Sequence, residues 1–138
     1  MIKDIEIGGK VCRLKSSAAI PRIYRQFFNK DLLMDMNSIF EYSALKAKLN
    51  RELKAKAKKE GEEFEPINDN LLPEHIETLE NLTYILHKHG DPSQPDEIEE
   101  WFEQFEMLDI YDAFPSVINM WAEENKQLVS AKKRTTDR

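Results

Sequence analysis

One cysteine, four glycines and no long apolar run mark this 138-residue chain, and each scarcity excludes something. A lone Cys12 cannot form an internal disulfide and fits a reducing compartment; in a short β-rich stretch it is a small apolar core residue. Four scattered glycines cannot build a phosphate-cradling loop, and no Gly-x-Ser-x-Gly, Walker, Rossmann or Cys-x-x-Cys pattern occurs. No stretch approaches the roughly 18 apolar residues of a membrane span. The opening Met1-Ile-Lys-Asp-Ile-Glu6 lacks the apolar segment of a signal peptide. Positive charge is also short: the net charge is -6 and the pI about 5.2, whereas nucleic-acid binders usually show a basic domain or face. The length fits one small domain. These absences leave a soluble, intracellular protein as the expectation, with no enzyme signature.

The pattern that is present is mainly helical. Ile5-Glu-Ile7 and Lys10-Val-Cys-Arg-Leu14 flank Gly8-Gly9, a two-residue connection whose positions both accept positive φ. That loop pairs Ile7 with Lys10, Ile5 with Cys12 and Lys3 with Leu14, and puts Ile5, Ile7, Cys12 and Leu14 on one face. Ser16 or Ser17 can cap the next helix, with Pro21 in its first turn and Ile20, Ile23, Tyr24, Phe27 and Phe28 at helical spacing. A second run, Lys30 to Lys59, buries Leu32, Leu33, Met36, Ile39, Phe40 and Ala44; beyond Leu53 it keeps helix formers but loses its stripe. Residues 61–70 form a loop opened by Gly61. A third helix starts near Pro73, with Ile76, Leu79, Leu82, Thr83 and Leu86 inward, and Gly90 to Pro95 breaks it. Asp96 and Glu99 have capping-box spacing for a short helix bearing Ile98, Trp101, Phe102 and Phe105. Tyr111, Phe114, Val117, Ile118 and Trp121 form the stripe of the last helix, where Pro115 is either in the first turn or a kink. Tyr24, Phe27, Trp101, Phe114 and Trp121 are expected to be mostly core. The resulting fold class is mainly α, about five helices with a small N-terminal β-hairpin in a single domain over 1–127, followed by a disordered polar tail at 128–138.

Candidate chemistry is sparse. His87 and His89 with Asp91 form the one cluster with a metal-like composition, but helix positions two apart diverge by about 200° and share no face. Partly positive histidines stabilising a helix C-terminus are the expectation there, and no metal or cofactor. Glu97, Glu99, Glu100, Glu103 and Glu106 interleave with aromatics as a solvated face does; acid–base catalysis needs burial that separates their pKa values. Lys46, Lys48, Arg51, Lys54, Lys56, Lys58 and Lys59 wrap around their helix with no aromatic to stack a base, so they serve a solvated end or an acidic or amphipathic partner. Pairing of Lys54–Lys59 with Glu60–Glu65 or Glu97–Glu106 of another copy predicts salt-weakened self-association. Arg22 and Arg25 share one side of the first helix, either paired with acids such as Asp31 and Asp35 or offered to a protein interface. Arg22, Arg25, Lys54, Lys56, Lys58 and Lys59 are therefore the candidate partner-binding residues.

The segment Ala18-Ala-Ile-Pro-Arg-Ile-Tyr-Arg-Gln-Phe-Phe-Asn-Lys-Asp-Leu-Leu33 follows the hairpin, and Trp101 to Tyr111 precedes Phe114-Pro-Ser-Val-Ile-Asn-Met-Trp121. In this order, over roughly residues 4 to 125, the chain resembles the tail assembly chaperones of long-tailed phages and prophages of Gram-positive bacteria. The resemblance implies a non-enzymatic protein of the host cell cytoplasm that keeps the tape measure protein soluble until tail tube subunits polymerise around it, and that is absent from the finished virion. It implies as partners the tape measure protein, the tail tube protein, further copies of the chain and a frameshifted longer form of itself, with no nucleic acid and no membrane. Two adjacent lysines, Lys132 and Lys133, are a candidate slippery site in Ser130–Arg134; a plain basic tail is the alternative. A phage-encoded regulatory adaptor or anti-repressor that binds one protein is the other functional class the chain fits.

Overall fold

Gly8 and Gly9 take φ values of 58° and 81°, and the two-residue turn they make joins β1 (Ile2–Ile7) to β2 (Lys10–Lys15) in the expected antiparallel register. Ile5, Ile7, Cys12 and Leu14 are buried together on one face. On the other, Arg13 pairs with its cross-strand neighbour Asp4 at 3.1 Å. The amino group of Met1 donates to Ser16 O, whose own N–H returns to Met1 O, so the open end of the hairpin is tied. A two-stranded ribbon is marginal alone; docking four apolar side chains, at about 1.5–3 kcal/mol for a fully buried aliphatic one, is what holds it.

The computed structural model describes residues 1–66 and 70–136, with side chains described through Glu124. It is mainly α: α1 (Ile20–Phe28), α2 (Leu32–Glu60), α3 (Pro73–Gly90), α4 (Ile98–Phe102) and α5 (Asp109–Thr136) follow the hairpin. Met1–Asn29 and the chain from Leu79 onward form one compact unit; Lys30–Thr78 forms another.

In the first unit the second half of α3 is central. Every residue from Asn81 to His87 is buried, so this stretch has no solvated face and the expected single stripe of α3 understates it. Its polar side chains are absorbed: Thr83 Oγ1 donates to Leu79 O at 2.6 Å, and His87 accepts from Trp101. Tyr84 meets Phe27 of α1 and Trp101 of α4 edge-on or tilted, at 5.9 and 5.5 Å between ring centroids. β1 packs on α5, and the Ser16 hydroxyl donates to the Glu124 carboxylate.

Several local expectations are corrected. Neither serine caps α1: Ser16 is committed to Glu124, Ser17 Oγ accepts from Ala19 N and contacts His89 Nε2, and the cap position falls on Ala19. Pro21 does lie in the first turn. Phe27 is 47% exposed, while Tyr24, Trp101, Phe114 and Trp121 are buried. On α5 the buried row is Ile110, Ala113, Phe114, Val117, Met120 and Trp121, one step round from the expected one, leaving Tyr111 exposed and Ile118 half-buried. Pro115 sits well inside α5, so Tyr111 O loses its usual helical donor. The capping box fails because the Asp96 carboxylate is bound by Lys88 Nζ at 2.8 Å; α4 starts one residue later, with Glu97 at its cap. α5 runs through Thr136, across most of the segment set apart as a tail, since Ala, Lys and Arg extend an existing helix at little cost. Asp137 and Arg138 lie outside the described residues.

In the second unit Asp31 caps α2, its Oδ1 accepting from Met34 N at 3.1 Å, and Gly61 ends it at φ 71°. Leu32, Met36 and Ile39 are buried, Phe40 is half-buried, and Leu33 and Ala44 point to solvent, against expectation. Leu33 follows Leu32 by one residue, about 100° round the helix. His75 of α3 contacts Ser38 Oγ at 3.2 Å and the Tyr42 ring at 5.1 Å.

Gly90 provides a direct test of the packing. Replacing a helical glycine with alanine normally stabilises by about 0.5–1 kcal/mol. Here an added Cβ would lie 2.2 Å from the Arg13 carbonyl oxygen of β2, a backbone atom that cannot swing away. Gly90→Ala is expected to destabilise by about 1–3 kcal/mol in urea unfolding, the cost of overpacking.

Candidate functional site

Two concave surfaces in the first unit invite a functional reading. The larger, about 440 Å³, is lined by Asp4, Lys10, Arg13, His87, Asp91 and Gln94 among others. Its charges already have partners. Arg13 holds Asp4; Lys10 Nζ reaches Gln104 O at 3.5 Å; Asp91 accepts from Ser93 N, Ser93 Oγ and Gln94 Nε2. Those hydrogen bonds, the Ser93 hydroxyl and the Gln94 amide first, hold the Asp91 pKa at about 2. The cleft is a self-satisfied polar seam rather than a ligand site.

The smaller surface differs in kind. Trp101, fully buried, is the floor from which it grows: its ring meets Phe102 at 5.3 Å and Phe105 at 5.1 Å. After α4 the chain turns through 103–108, and the turn is fixed where Asp109 Oδ2 accepts from Glu106 N at 2.8 Å. That constraint leaves Met107 84% and Leu108 65% exposed. Met107 joins Phe102, Phe105, Ile110 and Tyr111 around a groove of about 220 Å³ whose edge carries Glu80 and Glu106. No lysine or arginine occurs from Asp91 to Asp112. An aromatic, methionine-bearing groove with an acidic rim fits an apolar anchor flanked by basic residues, the way an amphipathic helix docks.

Of the residues singled out from sequence, Arg22 and Arg25 are exposed on α1. Lys54, Lys56, Lys58 and Lys59 are exposed on α2, in the other unit. Helical spacing turns Lys56 and Lys59 toward one side and Lys54 and Lys58 toward the opposite one, so the four do not converge. Met107 and Leu108 escaped attention because a turn has no periodicity to mark them.

The histidine pair is also corrected. Trp101 Nε1 donates to His87 Nδ1 at 3.0 Å, which places the proton of the neutral ring on Nε2. Burial pushes the His87 pKa down, opposed by the Asp91 charge; burial, then Lys15, pushes His89 down. Both rings therefore favour the neutral form instead of complementing the helix end with charge. His87 faces Trp101 and His89 faces Ser17, and among the described residues no group of three or more His, Cys, Asp or Glu is placed to hold a metal. Burial raises the Cys12 pKa and keeps the thiol protonated. Among the described residues no helix is long and apolar enough to cross a membrane. No protein-family model, curated protein or solved structure matches the chain.

The buried His87 makes a pH test possible. Its folded pKa lies below the unfolded value of about 6.5, so its contribution is complete above that pH and is lost as the pH falls toward the folded value. Urea midpoints measured from pH 7.5 to 5.5 should fall for the wild type. The fall should be smaller in His87→Asn, whose amide oxygen can still accept from Trp101.

Proposed function

We propose that the chain is a tail assembly chaperone of a long-tailed phage or prophage of a Gram-positive host, and that it keeps the tape measure protein soluble until tube subunits replace it. The observation that carries the proposal is the exposed groove built by Phe102, Phe105, Met107, Ile110 and Tyr111. It lies within the Trp101 to Trp121 segment on which the family resemblance rests. A mainly helical body entered through an N-terminal hairpin, with Tyr24 buried and Arg22 and Arg25 outward on α1, supports the same reading.

The physical demand on such a chaperone is reversible cover for apolar faces of a long helical client. A small groove meets it with one or two anchor side chains per copy, so each contact is weak and many copies together hold the client. Methionine suits varied anchors because its unbranched side chain adapts its shape. The acidic rim favours client segments with basic flanks and rejects acidic ones. The chaperone works in the cytoplasm of the host cell, where the client is made.

Co-expression with the tape measure protein encoded beside it tests the proposal. The full chain is expected to move that protein from the pellet to the soluble fraction. Met107→Asp should abolish most of the effect, and because Met107 is exposed its melting temperature should stay near that of the wild type, within about 0.5 kcal/mol of stability. A client that stays insoluble beside the wild-type chain, or is solubilised equally by the variant, rejects the proposal.

A further inference from the structure

A second apolar surface lies on α2. Leu45, Leu49 and Leu53 recur every four residues and are 54%, 38% and 42% exposed. At that spacing they make a single ridge along the helix. Lys48 and Lys56 border the ridge three residues after Leu45 and Leu53, with Glu52 between them. From Leu45 to Lys59 the helix carries seven basic residues and one acidic residue. The segment from Asp96 to Asp112, which forms the groove, carries eight acidic residues and no basic ones.

We propose that the α2 leucine ridge of one copy seats in the Phe102–Tyr111 groove of a second copy, competing there with the client. Charge selects this occupant. Two α2 helices face to face would oppose their lysines, and two grooves would oppose their carboxylates, while ridge against groove joins opposite signs over complementary apolar surfaces. The ridge and the groove are different surfaces, so the contact is head-to-tail: a copy that fills its neighbour's groove still offers its own. The inference rests on the chaperone reading for the identity of the competing client. Self-occupation would shield Met107 while no client is present, and a client would release copies from one another as it binds.

The test uses the full chain in sedimentation velocity. The wild type is expected to form a concentration-dependent series of oligomers at low salt that shrinks at high salt, as screened charge pairing requires. A ridge variant, Leu45→Glu with Leu53→Glu, and a groove variant, Glu106→Lys with Met107→Lys, should each remain monomeric with an unchanged melting temperature. Mixed in equal amounts, they should form a dimer that grows no further, because each supplies the one surface the other lacks. If the groove variant melts early, Glu103→Lys with Glu106→Lys, both at exposed positions, takes its place. A wild type that is monomeric at every concentration, a variant that assembles like the wild type, or a mixture that stays monomeric overturns the inference. Client solubility is scored separately: solubilisation without assembly rejects only the ridge-and-groove contact, whereas assembly without solubilisation rejects only the chaperone function.

Discussion

The buried bond from the Trp101 indole to His87 fixes the arrangement around it. It joins the last turn of α3 to the short α4, which at five residues is too short to stand by its own hydrogen bonds. Around the same indole lie Tyr84, Phe102 and Phe105. Tyr84 in turn donates its hydroxyl to Pro95 O at 2.6 Å, and Lys88 Nζ reaches Pro92 O, Gln94 O and the Asp96 carboxylate. Burial and the carboxylates of Asp96, Glu97, Glu100 and Glu99 push the Tyr84 pKa up to about 12, so this donor keeps its proton throughout the physiological range. The segment 91–97 contains two prolines and no regular structure, yet two side chains of α3, Tyr84 and Lys88, hold it in place. The groove is shaped from inside by a polar contact that is itself buried.

Much of the fold was legible in the sequence, and the exceptions share a cause. The hairpin was readable, register included, because a two-residue turn at Gly8-Gly9, the tighter of the turns open to that pair, fixes the pairing and with it which side chains face inward. Helix positions were readable as well, from Pro21, Pro73 and Gly61. Helix phase was less so. On α5 the large Tyr111 drew the stripe toward itself, although small Ala113 and flexible Met120 are the residues that fit inside. On α3 the polar Asn81 and His87 fell outside the expected inward stripe, yet both are buried, and the partner of His87, Trp101, is unseen in the local sequence. Capping chemistry failed where a long-range partner won the side chain, as Glu124 wins Ser16 and Lys88 wins Asp96.

The candidate site divides the same way. Its aromatic members were visible as helical periodicity and were assigned to the core, which holds for Trp101 and leaves out the half-buried Phe102 and Phe105. Its most exposed member, Met107, stands beside Leu108 in a turn where no rule asks for apolar residues. The basic residues of α2 were noticed for charge alone; the leucines between them acquire meaning only from their exposure. Charge separation along the chain, basic in α2 and acidic from Asp91 to Asp112, is a property of sequence, but which apolar surface each sign surrounds is a property of the fold.

The closure of Ser16 against Glu124 joins residues 108 positions apart, and β1 lies on α5 across the same interval. During synthesis the hairpin therefore leaves the ribosome long before the helix it rests on exists. Its four apolar side chains lack the cover of α5 until that helix has emerged. Completion of the first unit is thus a late, nearly all-or-none step set by loop closure over most of the chain. A nascent copy passes through a stage with more apolar surface exposed than the finished molecule shows, and it is most vulnerable to proteolysis and misassociation then.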